Sequence, residues 1–178
     1  MRMTTPDEDL ARAARDGDKT AFAVLVERHY DRVFGLAFRL TGRRTDAEDL
    51  TQDVCLTLPH RLRGWRGEGR YTTWLYRVVV NAAHDARRRD MARSKAATGW
   101  GDTEIGRRAE ATDARAAQDW LQTAMAALSD DLCDTLALVL DDMSHKEAGA
   151  VLGVSEGTIS WRVSEAKKAL RAMKDAEE

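Results

Sequence analysis

The sequence is poor in the residues that interrupt helices or cross-link small proteins. It contains only two prolines, Pro6 and Pro59, and two cysteines, Cys55 and Cys133, among 178 residues. The cysteines lie far apart and lack CxxC spacing, so buried structural thiols are favoured over a zinc site or a disulfide framework. The four histidines show no ligand-like or catalytic spacing either. We therefore expect no cofactor.

Long hydrophobic runs are also missing. No apolar stretch is long enough to span a bilayer, and the opening residues, MRMTTPDEDLARAARDGD, are acidic and polar, unlike a signal peptide. We therefore expect a cytoplasmic protein without membrane insertion. The net charge is only −2 although 33% of the residues are charged, so the distribution of charge is more informative than its sum.

Alternating valine-rich runs are absent, and the apolar residues recur at helical spacing almost everywhere, which predicts an all-α fold. Around 91–114 the apolar stripe is lost and Gly99, Gly101 and Gly106 occur, a composition typical of a linker. We predict two small helical domains joined by a flexible linker, with an N-terminal domain at 1–93, the linker at 94–114 and a C-terminal domain at 115–178.

Acidic residues are concentrated on one predicted helix of the N-terminal half. Asp18 is predicted to cap a helix that Gly42 ends, and Thr45 to cap the next helix, DAEDLTQDVCLTL. One side of this second helix, here called the acidic face, contains no positive charge and consists of Asp46, Glu48, Asp49, Gln52 and Asp53.

The acidic face has three interpretations. A metal site is disfavoured, because carboxylates on successive turns lie about 5 Å apart along the axis and the outer ones cannot reach one ion. A solvated surface, stabilised by the dipole at the helix N-terminus, is slightly favoured by the sequence alone. A docking surface for a basic protein is the third interpretation.

The charge reverses in the segment that follows, HRLRGWRGEGRYTTWLYRVVVNAAHDARRRDMAR. GWRGEGR is predicted to be a mobile loop, and Thr72 or Thr73 to start a helix. Guanidinium groups bind phosphates, amides read base edges and aromatic rings stack on unpaired bases, so melted or single-stranded nucleic acid is favoured over an ordinary basic surface. Trp65 is the stacking candidate, although a loop tryptophan often covers the edge of a core. Along the helix, one polar face is formed by Arg77, Asn81, His84 and Arg88.

The segment SHKEAGAVLGVSEGTISWRVSEAKKALR has the pattern of a helix-turn-helix. Ser144 is predicted to cap the first helix, Gly153 to end it and Ser155 to start the second, while Ser129 caps an earlier helix. On the second helix Trp161 falls opposite the apolar seam, so we expect an exposed indole that contacts DNA or a protein partner. The seam consists of Ile159, Val163, Ala166 and Leu170.

Three stretches, DAEDLTQDV, RGEGRYTTWLYRVVVNAAHDARRR and LGVSEGTISWRVSEAKKALR, resemble the signature regions of extracytoplasmic-function (ECF) sigma factors of bacterial RNA polymerase. Their order and separation agree with that family, and the resemblance covers nearly the whole chain. It implies that the acidic face docks on the β′ clamp helices of the polymerase core, which favours the docking interpretation.

The resemblance also implies that the basic loop and helix capture an exposed base of the −10 element and help to melt promoter DNA. The residues concerned are Trp65, Arg66, Arg70, Arg77, Asn81, Arg87, Arg88 and Arg89. It implies that the helix-turn-helix reads the −35 element and touches the β flap. Those residues are Ser155, Glu156, Thr158, Ser160, Trp161, Arg162, Lys167, Lys168 and Arg171. Many members of the family are inhibited by an anti-sigma factor, which is a further expected partner.

The sequence departs from the family pattern in the second helix of the helix-turn-helix. Ser160 stands where a lysine or arginine is usual, and Trp161 where a small residue is usual. Ser160 removes a phosphate or base contact, which leaves the −35 preference open. Before the motif, Asp142 replaces a common turn glycine.

We therefore predict a sigma factor that has no enzyme activity of its own. One rival is a stand-alone repressor or activator that binds duplex DNA through the helix-turn-helix, which requires a dimer surface or a sensor. The other rival is a metal-dependent nuclease that uses the acidic face. Neither rival explains why blocks of opposite charge adjoin in one half of the chain.

Overall fold

The computed structural model describes residues 5–96 and 113–177, and within these ranges the chain is helical with no strand. This confirms the all-α prediction. Part of the predicted linker, 97–112, lies outside the described residues. The helices are α1 Asp7–Arg15, α2 Lys19–Thr41, α3 Arg44–Leu62, α4 Tyr71–Ala96, α5 Asp113–Ala126, α6 Asp130–Val139, α7 His145–Leu152 and α8 Glu156–Glu177.

The ends of α2 follow the sequence signals. Asp18 Oδ1 accepts hydrogen bonds from the backbone N–H groups of Thr20 at 2.8 Å and Ala21 at 3.0 Å, which satisfies donors that have no intrahelical partner. Gly42 ends the helix with φ of +74°, a left-handed conformation that a side chain disfavours. The predicted cap and stop are therefore confirmed.

The predicted starts of α3 and α4 were displaced. Helix α3 begins at Arg44, so Thr45 lies inside its first turn, and its hydroxyl contacts Asp46 Oδ1 at 3.4 Å. The prediction that Thr45 caps this helix was wrong, because Arg43 already has the extended backbone of the capping position. Helix α4 begins at Tyr71, just before the two threonines.

Helix α1 was not predicted; it is short, and only Leu10 and Ala11 are buried. Contacts of Asp7 with α2 hold it in place. Asp7 Oδ1 lies 2.5 Å from an Arg28 guanidinium nitrogen, and Asp7 Oδ2 lies 2.8 Å from His29 Nε2. Packing of Leu10 and Ala11 in the core and the contacts of Asp7 together position the N-terminal helix.

The helix-turn-helix forms as predicted. Ser144 and Glu147 form a capping box, in which the Ser144 hydroxyl accepts from the Glu147 N–H at 3.2 Å and the Glu147 carboxylate accepts from the Ser144 N–H at 3.0 Å. Gly153 ends α7 with φ of +71°, and the Ser155 hydroxyl accepts from the Thr158 N–H at the start of α8. Ser129 occupies the capping position of α6, but its side chain makes no capping hydrogen bond.

Two backbone positions shape the turns of the C-terminal domain. A Cβ atom at Gly149 would lie 2.7 Å from the carbonyl oxygen of Val154, so glycine allows the turn to pass close to α7. Asp142 adopts φ of +59°, which is consistent with its position at a common turn glycine. Gly149 therefore permits the tight turn between α7 and α8, and Asp142 supplies the turn between α6 and α7.

Helix α4 is buried on more sides than its sequence pattern predicts. Tyr71, Leu75 and Val78 recur at helical spacing and are buried, but Tyr76 and Val80 are buried as well. Val80 lines a cavity together with α7 and the turn that follows it, and the Tyr76 hydroxyl contacts the end of α6. The C-terminal domain therefore packs against α4, so the two domains contact each other.

Candidate polymerase and nucleic-acid interfaces

The acidic face lies on α3 and remains accessible. Asp49 and Gln52 are exposed and make no hydrogen bond or ion pair within the described ranges, and Asp53 is 60% exposed with only Arg89 nearby, at 3.9 Å. Asp46 and Glu48 pair with arginines one turn earlier, Arg43 and Arg44. The carboxylates are thus not neutralised by burial against the chain's own arginines.

A groove of about 340 Å³ separates the acidic face from the end of α4. Asp46, Asp49 and Asp53 line one side, and Arg87, Arg89 and Arg93 line the other, so opposite charges meet along its length. In the described part of the chain, no three carboxylate, histidine or cysteine side chains are placed to hold a metal ion. The geometry offers a partner charged surfaces rather than a chelating centre.

Trp65 is a core residue rather than an exposed stacking platform. Its side chain is 3% exposed, and its ring lies edge-on to Tyr71 with centroids 6.0 Å apart and tilted against Trp74 at 6.4 Å. In this conformation the indole is unavailable to an unpaired base. The structure therefore supports the other interpretation of a loop tryptophan, because the ring closes the edge of the N-terminal core.

The basic loop around this tryptophan is held by glycine geometry. Gly67 and Gly69 adopt φ of +75° and +73°, which lets the chain turn twice within a few residues. Arg66 is exposed, whereas Arg70 reaches the C-terminal domain and pairs with Glu147 at 2.6 Å. The two loop arginines therefore differ in their availability to nucleic acid.

The polar face of α4 points toward α6 and α7. Arg77 donates hydrogen bonds to the carbonyl oxygens of Ala150 at 2.5 Å and Val151 at 3.1 Å. One turn further on, Asn81 is exposed and lines a cavity of about 230 Å³ between the domains. His84 Nε2 then lies 2.6 Å from Asp134 Oδ2. Of the predicted row, Arg77 and His84 contact the C-terminal domain, whereas Asn81 and Arg88 remain exposed.

The three consecutive arginines near the end of α4 have different surroundings. Arg87 is half-buried, pairs with Asp130 and donates to the Leu40 carbonyl at 3.4 Å. Arg88 pairs with Asp85 one turn before it on the exposed surface, and Arg89 lies near Asp53. Arg88 and Arg89 are therefore the more accessible of the three.

Burial raises the pKa of three side chains on α3 and α6, namely Asp134, Cys133 and Cys55. Burial raises the pKa of the Asp134 carboxyl above its ordinary value, and the neighbouring His84 partly opposes this rise. Burial also raises the pKa of the Cys133 thiol to about 11, so this thiol stays protonated at neutral pH. Cys55 is only half-buried, and burial raises its thiol pKa as well.

The second helix of the helix-turn-helix exposes Trp161, whose side chain is 61% accessible. Ser160 donates to the Glu156 carbonyl and contacts His145 Nδ1 at 2.9 Å, so its hydroxyl is engaged within the motif. Arg162 is 14% exposed and pairs with Asp131 at 2.7 Å. Other predicted DNA-contacting side chains on the exposed surface are Ser155, Glu156, Lys167, Lys168 and Arg171, whereas Thr158 is half-buried.

Sequence reasoning missed the residues that join the two domains. Asp141 accepts from Arg39 on α2 and from the Tyr76 hydroxyl on α4, and Asp134 contacts His84. The run of three valines ahead of Asn81 was the available signal, because a helix with apolar residues at consecutive positions is buried on more than one face. The three valines do not indicate that the C-terminal domain is the segment that packs against them.

None of the helices in the described ranges combines the length and the apolar character needed to cross a bilayer. Two family models match the chain: Sigma-70 region 2 over residues 25–93 and Sigma-70 region 4 over residues 118–170. The first covers α2 to α4 and the second covers the helix-turn-helix. Both regions of a sigma-70 protein are therefore present, in order, on the two helical domains.

Individual proteins agree with this assignment. The chain is 33% identical over 180 residues to the ECF RNA polymerase sigma factor SigE of Mycolicibacterium smegmatis, an alignment that covers 93% of this chain and 68% of the relative. The structure of CnrH in complex with the cytosolic domain of CnrY matches with a TM-score of 0.72 and 26% identity over 97% of this chain and 99% of that one.

A second solved structure shows the same fold. The sigma factor RpoE in complex with the anti-sigma factor NepR from Bartonella quintana matches with a TM-score of 0.71 and 21% identity, covering 88% of this chain and 98% of that one. The chain belongs to the extracytoplasmic-function (ECF) group of RNA polymerase sigma factors.

Proposed function

We propose that this sigma factor divides promoter recognition among three surfaces and catalyses no reaction itself. The observation that carries the proposal is the separation of exposed charge. Asp49 and Gln52 on α3 have no partner among the described residues, and guanidinium groups lie along the loop and α4. A protein surface and a phosphate backbone need opposite charges, so one domain can bind polymerase and DNA on adjoining faces.

The acidic face is the proposed contact with the β′ clamp helices of the polymerase core. Exposed carboxylates attract a basic partner at long range, and their pairing on contact adds charge-assisted hydrogen bonds. Asp49 needs no rearrangement to bind, because no side chain in the described ranges competes for it. The proposed polymerase-binding residues are Asp46, Glu48, Asp49, Gln52 and Asp53.

The loop and α4 are the proposed surface for the melted −10 element. Asn81 can read the edge of an unpaired base, and neighbouring guanidiniums can hold the phosphates on either side. Capture of the base offsets its unstacking, which costs a few kcal/mol per base. Trp65 supports this surface from below by packing against Tyr71 and Trp74. The proposed DNA-binding residues are Arg66, Arg70, Arg77, Asn81, Arg87, Arg88 and Arg89.

The start of α8 is the proposed reader of the −35 element. An exposed indole on a recognition helix contacts apolar groups in the major groove, such as a thymine methyl, while the later cations bind phosphates. Trp161 is the exposed indole at the start of the helix. The later cations that would bind phosphates are Lys167, Lys168 and Arg171. The β flap of the polymerase core is the proposed protein contact of this domain.

We also propose the domain limits 1–93 and 115–178, separated by a linker, although α4 extends three residues past the first limit, to Ala96.

A cytoplasmic location and an anti-sigma partner complete the proposal. The structural relative RpoE is bound to the anti-sigma factor NepR, and a partner of this kind would keep the chain from core polymerase until a signal arrives.

The decisive experiment is transcription of genomic DNA by purified core polymerase with and without the chain, followed by mapping of the RNA 5′ ends. We expect new start sites that share upstream elements and require the chain. If no start site depends on the chain when inhibitors are absent, the proposal is wrong. Tight binding to duplex DNA without polymerase would instead support a stand-alone regulator, and metal-dependent cleavage that Asp49→Ala abolishes would support a nuclease.

A further inference from the structure

Helix α1 contacts the backbone at both ends of the basic loop, residues 64–70. Glu8 Oε1 accepts a hydrogen bond at 3.2 Å from the backbone N–H of Tyr71, the first residue of α4. Arg15 Nη1 donates to the carbonyl oxygen of Trp65 at 3.4 Å. Only residues 66–70 lie between the two contacted backbone groups. The segment that enters α4 is therefore attached to α1 at either end.

The contact of Glu8 supplies a helix cap that the local sequence lacks. The first backbone N–H groups of a helix have no acceptor within the helix. Arg70 precedes α4, and its side chain carries only donors, while Thr72 and Thr73 already lie inside the first turn. The carboxylate of Glu8, 63 positions away from Tyr71, provides the acceptor and complements the positive end of the helix dipole. The start of α4 thus depends on a residue of α1.

Helix α1 is itself anchored without help from the loop. Asp7 contacts Arg28 and His29 on α2, and Leu10 and Ala11 belong to the hydrophobic core. None of these side chains lies in the loop. Helix α1 can therefore hold the loop at a fixed position relative to α2.

The loop between the two contacts has a defined backbone. Gly67 and Gly69 turn it with positive φ, and the buried ring of Trp65 fixes its first half. Arg66 is exposed. A short segment with fixed ends samples few conformations, so the exposed guanidinium is held near one position and less ordering is needed when a DNA strand binds.

We propose that α1 is the scaffold of the basic loop, and that Glu8 and Arg15 are positioning residues for capture of the −10 base. They act through the backbone of Tyr71 and Trp65, so that Arg66 holds the strand where Asn81 reaches the base. The proposal rests on the −10 surface described above, and it adds that a helix outside this surface determines how accurately the surface meets the base.

The first test measures hydrogen exchange of the full chain by mass spectrometry, without polymerase or DNA. Glu8→Ala should speed exchange of the loop and the first turn of α4 about fivefold, because an uncapped turn frays, and should leave α2 unchanged. Glu8→Gln keeps an oxygen acceptor and should stay near the wild type. Asp9→Ala is the matched control, because it removes a carboxylate from the same turn of α1, where Asp9 pairs with Arg12 only.

The second test measures open-complex formation by the holoenzyme on a promoter found by start-site mapping. Each non-template base of the −10 element is replaced in turn by an abasic site, and the fall in rate at each position is the penalty for losing that base. The largest penalty identifies the captured base. A variant that merely lowers the amount of folded protein slows all templates equally and leaves the penalty unchanged.

We expect Glu8→Ala and Arg15→Ala each to reduce the largest penalty at least about threefold, because a misplaced strand gains less from its base. Asp9→Ala and Arg12→Ala, which make the same charge changes at exposed positions of α1, should keep the wild-type penalty, and Glu8→Gln should keep most of it. Arg15→Ala provides the measurement if Glu8→Ala does not fold.

Three results would each overturn the proposal: equal exchange of the first turn of α4 in E8A and D9A, acceleration in E8A that is equally large in α2, or an unchanged penalty in both E8A and R15A. An E8Q chain as defective as E8A would refute positioning through this hydrogen bond.

Asn81→Ala separates this proposal from the proposed function, because Asn81 is the proposed contact of the base itself. If N81A reduces the penalty and the α1 variants do not, the scaffold role is wrong and the −10 surface stands. If N81A also leaves the penalty unchanged, the −10 surface is wrong and the scaffold role falls with it.

Discussion

The hydroxyl of Tyr76 lies 3.0 Å from Oδ2 of Asp141, across the boundary between the two domains. The tyrosine ring is buried, and burial together with the nearby carboxylate raises the pKa of Tyr76 above its ordinary value of 10. The Tyr76 hydroxyl therefore stays protonated in the folded chain and donates a hydrogen bond to the Asp141 carboxylate.

Tyr76→Phe should destabilise the full chain by about 1–2 kcal/mol at pH 7.5, because it removes a hydrogen bond to a charged group and keeps the ring. A group whose pKa is raised on folding contributes stability below its unfolded pKa and loses it as pH rises through the folded value. The difference between wild type and Y76F should therefore shrink above pH 10. Urea unfolding of both proteins at pH 7.5, 9 and 10.5 measures this, and a difference that is constant with pH would contradict it.

Reversing charge on the acidic face should weaken binding to core polymerase. The double variant Asp49→Lys, Asp53→Lys replaces exposed carboxylates, and we expect at least a tenfold loss of affinity, about 1.4 kcal/mol, that is smaller at high salt. Fluorescence anisotropy of labelled protein measures the affinity, and circular dichroism checks the fold.

The matched control for this charge reversal is Glu27→Lys, Asp31→Lys, which makes the same charge change at exposed positions of α2. Equal losses in the two double variants would show that net charge, rather than the acidic face, determines the affinity. Unchanged affinity of the α3 variant would refute the docking role.

Asn81→Ala should slow open-complex formation more than it weakens polymerase binding. The side chain is exposed on α4, and a contact with a base edge is worth about 1–3 kcal/mol, which corresponds to a rate reduced by about 5- to 150-fold. Stopped-flow fluorescence on a promoter found by start-site mapping measures the rate. His60→Ala, an exposed polar residue of α3, should leave it unchanged. Equal rates for wild type and N81A would remove Asn81 from base capture.

Two glycine-to-alanine changes should have opposite effects on stability. Gly149→Ala places a Cβ 2.7 Å from the Val154 carbonyl oxygen, a backbone atom that cannot move freely, and should destabilise by about 1–3 kcal/mol. Gly35→Ala, within α2, meets only the end of the Arg39 side chain at 3.7 Å and should stabilise by about 0.5–1 kcal/mol. Urea unfolding of the full chain measures both, and a neutral G149A would contradict the close approach of α7 and the turn.

The sequence was informative wherever a local rule determines the structure. Asp18, Gly42, Ser144 and Gly153 mark helix ends because each satisfies or turns the adjacent backbone, and the exposure of Trp161 followed from helical spacing. Thr45 failed as a cap because the helix could begin earlier, at Arg44, and nothing in the local sequence distinguishes the two starts.

Contacts between distant residues were beyond the reach of these rules. Trp65 looked available for stacking because it lies in a glycine-rich loop, but the turn carries its ring into the space beside Tyr71 and Trp74. Arg77 was predicted to face a ligand, and its partners are carbonyl groups of Ala150 and Val151, more than 70 positions further along the chain. A periodic pattern shows that a face needs a partner and gives no information about which segment supplies it.

Glu147 takes part in two contacts at once, the capping box with Ser144 and the ion pair with Arg70. Hydrogen bonds from Ser144 hold the pKa of Glu147 below its ordinary value, so the carboxylate remains charged at neutral pH whether or not the arginine is present. If Arg70 leaves, the first turn of α7 keeps its cap. The start of the helix-turn-helix is therefore stabilised by residues of α7 itself and does not depend on the arginine of the N-terminal domain.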